Sequence, residues 1–416
     1  MTIHSKHAAQ SRQGESGNIK TWRMRLRSNF VRISARERQA DQLRADFDGN
    51  ADESLDKRIG DQAANIPARP EDLPMSEGEY GLMQRALVRQ NGIPMIEQCY
   101  AHSLDVARWC VRVARKRGLD EHMACLAGFF HDVYYYATGL RPLHEQNSAE
   151  LAKELLGEYS ELSSEDQQMI CRAILCHHAS DTASDDLSRL LRDAHILNRY
   201  TSAGHTVRRH ELDRLKQLVP EWKLLEPQRS QITDTPDPVY HGNRAALAEV
   251  AQTLAAQRLS WYADEPDAWS IARYWPEPDA FEKLSGNWSA AFVYHCCYEA
   301  GFILPIHALG IERRFDDIKA WLDFASLLNN GFYHPKGESG FVPERGDIVI
   351  FDRILEDKLP ADHMGVVVMT SPERITVAEG NARKSNVSDV IEHSATHHVR
   401  GYIRLPNDFS ARKPFN

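Results

Sequence analysis

At 416 residues the chain is too long for one ordinary hydrophobic core, and its length predicts about two to three domains. Its composition, 42% hydrophobic and 26% charged, is that of a globular protein, and no apolar run approaches the roughly 18 to 20 residues of a membrane helix. A formal net charge of −9 argues against a non-specific nucleic-acid binder, although Lys20, Arg23, Arg25 and Arg27 make the N-terminal segment locally basic.

The first ten residues carry histidines and polar groups where a secretory signal would place an apolar core, so the expected address is the cytoplasm. Delivery by a dedicated secretion system is compatible with the same pattern. The seven cysteines (Cys99, Cys110, Cys125, Cys171, Cys176, Cys296, Cys297) are odd in number and lack paired CxxC spacing. They are expected to be reduced thiols packed as small hydrophobes.

In chain order, residues 1–75 read as a polar arm with one short helix between Ala35 and Phe47, ending in a proline-bearing stretch from Ile66 to Pro74. Residues 76–205 read as an all-helical domain. Apolar positions recur at helical spacing in Leu104, Ala107, Val111 and Ala114, closed by Gly118, and again in Met123, Ala124, Ala127 and Phe130. A loop is expected over Thr138–Gln146, then a helix over Ala149–Leu156. The next opens at Ser163-Ser164-Glu165-Asp166 and runs towards His178, and a fifth covers Leu187–Asn198. Residues 206–275, broken by Pro220, Pro227, Pro236 and Pro238, suit a connector whose most regular part is Arg244–Arg258. Residues 276–410 change texture: a helix from Trp288 to Ala300, then strands at Asp347–Phe351, Met364–Met369 and Arg374–Val377, which makes a separate small α+β domain. The chain therefore reads as multidomain.

In the helical part, His102, the adjacent His131 and Asp132, and Asp193 fall on three helices or helix ends, as when a bundle converges ligands on one interior point. Imidazole nitrogens with carboxylate oxygens suit Mn, Fe, Co, Ni or Zn better than Ca or Mg alone. The segments Tyr100-Ala101-His102-Ser103-Leu104, Ala127-Gly128-Phe129-Phe130-His131-Asp132 and Arg192-Asp193-Ala194-His195 resemble the signature of the HD phosphohydrolase superfamily. The resemblance implies one or two divalent metal ions, Mg included, and hydrolysis of a small phosphorylated molecule such as a nucleotide. Asp132 would help to position the attacking water. By the same resemblance, His144 and His177, or His178, would complete a second metal site. His195 departs from the pattern, which often has a second Asp there. Arg141 is a candidate phosphate clamp beside a plain reading as a solvated loop charge.

In the C-terminal part, Asn287-Trp288-Ser289-Ala290 opens a helix after a polar turn, where a side chain feels the positive end of the helix dipole. With Asp362-His363-Met364-Gly365 and Ala378-Glu379-Gly380-Asn381, it resembles the CHAP family of cysteine- and histidine-dependent amidohydrolases and peptidases, of papain-like fold. That resemblance implies a nucleophile at Ser289, a base at His363, and Glu379 with Asn381 to orient the base. The family's nucleophile is cysteine, and a serine lacks the easily ionised thiol. Three readings stay open: a binding module, a serine-based amidase or esterase, or an enzyme using Cys296 or Cys297. Under a competing reading of the whole chain, C–N hydrolysis is the main activity and the helical domain regulates it. The sequence does not set an oligomeric state.

Overall fold

The structure is a computed structural model that describes residues 69–88, 96–157, 162–178, 185–202, 207–233, 240–263, 265–277, 279–308, 311, 313–327, 330–356 and 359–409. The short helix expected between Ala35 and Phe47 lies outside the described residues. Ala63–Asn416 form one compact unit.

The N-terminal half of that unit is helical. Helices α1 (Glu77–Val88), α2 (Ile96–Arg117), α3 (Glu121–Phe130) and α4 (Val133–Thr138) are followed by α5 (His144–Gly157), α6 (Ser164–Cys176), α7 (Asp186–Thr201) and α8 (Leu212–Glu221). Their starts follow from side chains that accept otherwise orphaned backbone N–H groups. Asp120 caps α3 through Met123 N at 2.8 Å, Ser163 caps α6 through Asp166 N at 3.1 Å, and Asp185 caps α7 through Ser188 N at 2.8 Å. Helices α2 and α3 approach closely at Gly128, where a Cβ would lie 2.7 Å from Cys110 Sγ and 2.9 Å from Ala107 Cα. That contact sets the turn of α3 just ahead of His131.

One local expectation differs. The stretch read as a loop, Thr138–Gln146, holds the end of α4, a left-handed turn at Gly139, and then the first turn of α5, which begins at His144 rather than near Ala149. Leu143 adopts φ 53° and its carbonyl accepts from Asn147 N, so the helix starts five residues early.

The C-terminal half is rich in sheet. After two short paired strands, β1 (Val207–Arg208) and β2 (Ile232–Thr233), come α9 (Arg244–Ala256), α10 (Pro266–Ala272), α11 (Ala280–Leu284), α12 (Ser289–Glu299) and α13 (Ile318–Ser326). A six-stranded antiparallel sheet has the order β3-β8-β4-β5-β6-β7, from β3 (Tyr333–Pro335), β4 (Ile348–Phe351), β5 (His363–Thr370), β6 (Arg374–Glu379), β7 (Asp389–Ser394) and β8 (Val399–Ile403). The three strands expected from sequence are β4, β5 and β6. Val349, Phe351, Val367, Ile375, Val377, Val399 and Tyr402 form a core cluster, and α9 and α12 pack on β5 and β6. All four residues of β4 are buried, so the central strand is covered on both faces.

The two halves are stitched together. Tyr134 Oη donates to Tyr274 O at 3.0 Å, Ile306 N donates to Asn147 Oδ1 at 3.0 Å, and Arg314 pairs with both Glu154 and Glu277. Among the described residues, no helix is long and apolar enough to cross a membrane.

Candidate metal centre and a second buried site

Among the described residues, six histidines gather inside the helical half. His102 on α2, His131 at the end of α3 and His195 on α7 each offer a ligand atom within 4.8 Å of the others, and His144 at the start of α5 does the same with His177 and His178 at the end of α6. Asp132 stands between the two groups. Its Oδ2 lies 3.4 Å from His131 Nε2, and its Oδ1 lies 3.5 Å from Nε2 of both His144 and His177.

The outer nitrogens decide which way the lone pairs point. Nδ1 of His131 donates to Gly128 O at 2.8 Å, Nδ1 of His144 to Arg141 O at 2.8 Å, and Nδ1 of His177 to Ile174 O at 2.6 Å. A carbonyl can only accept, so each neutral ring keeps its proton on Nδ1 and turns an Nε2 lone pair inwards. His131 Nε2, His177 Nε2 and Asp132 Oδ1 are buried without a hydrogen-bond partner. Buried polar atoms left so are costly. Converging lone pairs from imidazoles and one carboxylate therefore fit a divalent cation, and nitrogen-rich donors favour the later transition metals over Mg or Ca.

Charge supports the same arrangement. Burial pushes the Asp132 carboxyl up, but the surrounding imidazoles, His131 first, hold it well below the usual carboxylate range. Burial lowers His144 and holds His178 and His195 well below the ordinary imidazole value, so these rings stay neutral. His177 is the exception: burial opposes its protonation, yet its contact with Asp132 raises it.

Asp193, expected as a ligand, is not brought to this cluster. Its buried carboxylate is taken by Arg214, at 2.7 and 2.6 Å, and by Arg117 at 2.7 Å. At about 100° per residue, Asp193 lies about 200° around α7 from His195, so only one of them can face the centre. His195 is the one that does. Arg141 stacks on the Tyr135 ring and donates to its hydroxyl, while its carbonyl holds His144.

The C-terminal half holds a second buried polar group. His363 on β5 meets Glu379 on β6, Nε2 to Oε2, at 2.8 Å, with both side chains 1% exposed. The other carboxylate oxygen takes His393 Nε2 of β7 at 2.5 Å. Burial pushes Glu379 up, but His363 and then His393 outweigh it and hold the carboxyl low. His363 Nδ1 is buried without a partner. Ser289, 1% exposed, is the first residue of α12, which packs on β5. The approach is tight at Gly380, where a Cβ would lie 2.5 Å from Phe292 Cβ and 2.7 Å from the Trp288 ring. Asn381 does not orient His363: it donates to Gly286 O at 2.6 Å and accepts from Asn386 N, tying down the turn before α12. Cys296 and Cys297 are fully buried, and burial raises both thiols, so neither offers a thiolate.

Residues 99–213 match the family model of the HD domain. The match spans α2 to the start of α8 and includes His102, His131, Asp132, His144, His177, His178 and His195. Members of the HD superfamily are metal-dependent hydrolases, and the cluster supplies side chains that could hold such a metal. No curated protein and no solved structure matches the chain. The HD match ends before the C-terminal sheet.

In the sequence His195 stands only as a departure from the family pattern, two residues after Asp193, the expected ligand. The signal that separates them is helical phase. Asn198, three residues beyond His195 and on the same face, has its side-chain nitrogen 3.4 Å from His102 Nδ1. His393, the second partner of Glu379, belongs to a strand that was not read from the sequence.

Proposed function

We propose that the HD domain is a metal-dependent phosphohydrolase acting on a small phosphorylated molecule such as a nucleotide. The observation that carries this reading is the placement of Asp132 between two groups of histidines, with the buried Nε2 of His131 and of His177 turned towards it and without a hydrogen-bond partner. His102, His131 and Asp132 would hold one ion, and Asp132, His144 and His177 a second. A bound divalent ion would lower the pKa of a coordinated water and neutralise charge on phosphoryl oxygens. The protein's own part is to fix those donors rigidly: three of the imidazoles are locked by backbone carbonyls, and Asp132 stays ionised among them.

The test combines metal analysis of the purified protein with phosphate release from a nucleotide panel, adding Mn, Fe, Co, Ni, Zn and Mg in turn. Metal-dependent release that disappears in His131→Ala is the expected result. Tight metal without turnover would make the domain a binding or regulatory one, and no metal at all would end the reading.

A second reading concerns the C-terminal half. The buried His363–Glu379 pair, with an open imidazole nitrogen on β5, the strand against which the helix begun by Ser289 packs, supports a serine-dependent amidase or esterase of CHAP-like type. In that reading Ser289 attacks, His363 takes its proton and Glu379 holds the ring. Covalent capture of Ser289 by a fluorophosphonate, absent from Ser289→Ala and His363→Ala, is the outcome that supports it. An unlabelled wild type leaves this half as a binding module.

A further inference from the structure

His195 stands apart from the other histidines of the centre in what its outer nitrogen meets. His131, His144 and His177 face backbone carbonyls, which only accept. His102 faces Asn198, an amide that can present either its oxygen or its nitrogen. His195 Nδ1 instead lies 3.4 Å from Arg199 Nη2, and a guanidinium can only donate. Arg199 is itself fixed, because Glu211 accepts from its Nη1 with both oxygens, at 2.8 and 2.6 Å. Glu211 is anchored in turn by Arg208 N at 3.2 Å.

This chain of bonds has a direction. Glu211 orients Arg199, Arg199 donates to Nδ1, and a neutral His195 then carries its proton on Nε2. An Nε2–H cannot ligate a cation, and the Nδ1 lone pair is aimed at a positive group, where no cation can share it. We propose that His195, although it converges with His102 and His131, is not a metal ligand but an N–H donor to an oxyanion of the substrate. Arg199 and Glu211 are the positioning residues that hold it in that tautomer. This rests on the phosphohydrolase reading for the identity of the oxyanion, a phosphoryl oxygen. An imidazole N–H suits this place because the ring is buried and fixed by Arg199, so its donor is aimed before the substrate arrives. His102, His131 and Asp132 would then be a short ligand set for an ion, one that would leave room for water and substrate.

The experiment uses the full chain with 15N-labelled histidine, its signals assigned from His→Gln variants. The expected spectrum shows His195 as the Nε2–H tautomer and His131, His144 and His177 as Nδ1–H, with the His195 signal shifting in Arg199→Met. In parallel, zinc content and inorganic phosphate binding are measured for His195→Gln, His195→Leu and His131→Ala. Both His195 variants should keep wild-type zinc while His131→Ala loses it. Phosphate affinity should fall on the order of 10-fold in His195→Leu and recover in part in His195→Gln, whose amide restores a donor. An Nδ1–H tautomer at His195, or zinc lost from His195→Gln as from His131→Ala, overturns the proposal. A wild type that takes up no metal ends the phosphohydrolase reading instead, while the tautomer spectrum still decides what His195 presents.

Discussion

The two halves of this molecule bury the same residue type and wire it in opposite senses. In the HD domain His131, His144 and His177 give Nδ1–H to carbonyls and turn Nε2 inwards, and the result is a set of lone pairs meeting around one carboxylate. In the C-terminal sheet His363 gives Nε2 to Glu379 and leaves Nδ1 open. Partner choice on one ring nitrogen separates a candidate metal ligand from a candidate base. His195, facing a guanidinium, belongs to neither pattern.

The largest effect tests the first pattern. Asp132→Ala removes the one carboxylate shared by both histidine groups, so metal uptake should be lost at both and phosphate release should fall to background. Metal at about 100 times its Kd should stabilise the wild type by about 2.7 kcal/mol. Thermal melts with and without metal should show that increment vanish in Asp132→Ala. An undiminished metal-induced rise in the variant would mean that the histidines bind without Asp132.

The second pattern is tested by Glu379→Gln. The amide cannot hold His363 and His393 as the carboxylate does, so the ring loses its enforced tautomer. A serine hydrolase would lose roughly 10⁴-fold in the rate of fluorophosphonate capture at Ser289. Unchanged capture would remove Glu379 from the chemistry and leave it as a structural tie between β5, β6 and β7.

Asp193 sharpens the contrast between a ligand and a structural charge. Its carboxylate is buried between Arg117 and Arg214, so Asp193→Ala takes the shared carboxylate from two guanidinium groups, Arg117 keeping Glu221 and Arg214 keeping Gln217, and should cost about 3 kcal/mol of stability. Metal stoichiometry should stay that of the wild type. Chemical denaturation followed by metal analysis of the refolded protein separates the two. Metal loss alongside full stability would return Asp193 to the ligand set.

How much of this was legible in the sequence follows from the reach of each signal. Helices α2, α3, α5, α6 and α7 announce themselves through local apolar spacing and a cap such as Ser163, whereas the short α4 does not, and His131 with Asp132 stands out as an adjacent pair. The early start of α5 was hidden because it depends on a left-handed Leu143, which no local preference signals. Asp193 and His195 could not be ranked by residue type, since carboxylate and imidazole both ligate such metals. Their order depends on helix phase and on two arginines, Arg117 and Arg214, that come from α2 and α8. In the sheet, β4 to β6 are apolar enough to be seen. Strand β7, Asp389–Ser394, mixes charge with apolar residues at the sheet edge, so His393 and its hold on Glu379 emerge only from the fold.

The smallest predicted effect lies at the rim of the HD domain, where a histidine pairs with a carboxylate and no metal is involved. His122 Nε2 on α3 lies 2.8 Å from Glu79 Oε1 on α1, while Glu79 also accepts from Ser76 N and completes a capping box. The hydrogen bond to Glu79 raises His122 above 6.5, so its contribution is full below that value and fades as pH rises through the folded pKa. Burial pushes Glu79 up, but its bond to His122 prevails and lowers it below 4.5, so its contribution is full above that value and fades as pH falls through the folded pKa. The charged pair is therefore worth most between pH 4.5 and 6.5. His122→Ala should cost about 1 kcal/mol near the middle of that window, a modest figure because the imidazole is partly exposed, and less at alkaline pH. Urea midpoints of wild type and variant across that range measure the difference. An equal cost at every pH would make the contact a neutral hydrogen bond, and proton linkage at this helix junction would have no part in the stability of the domain.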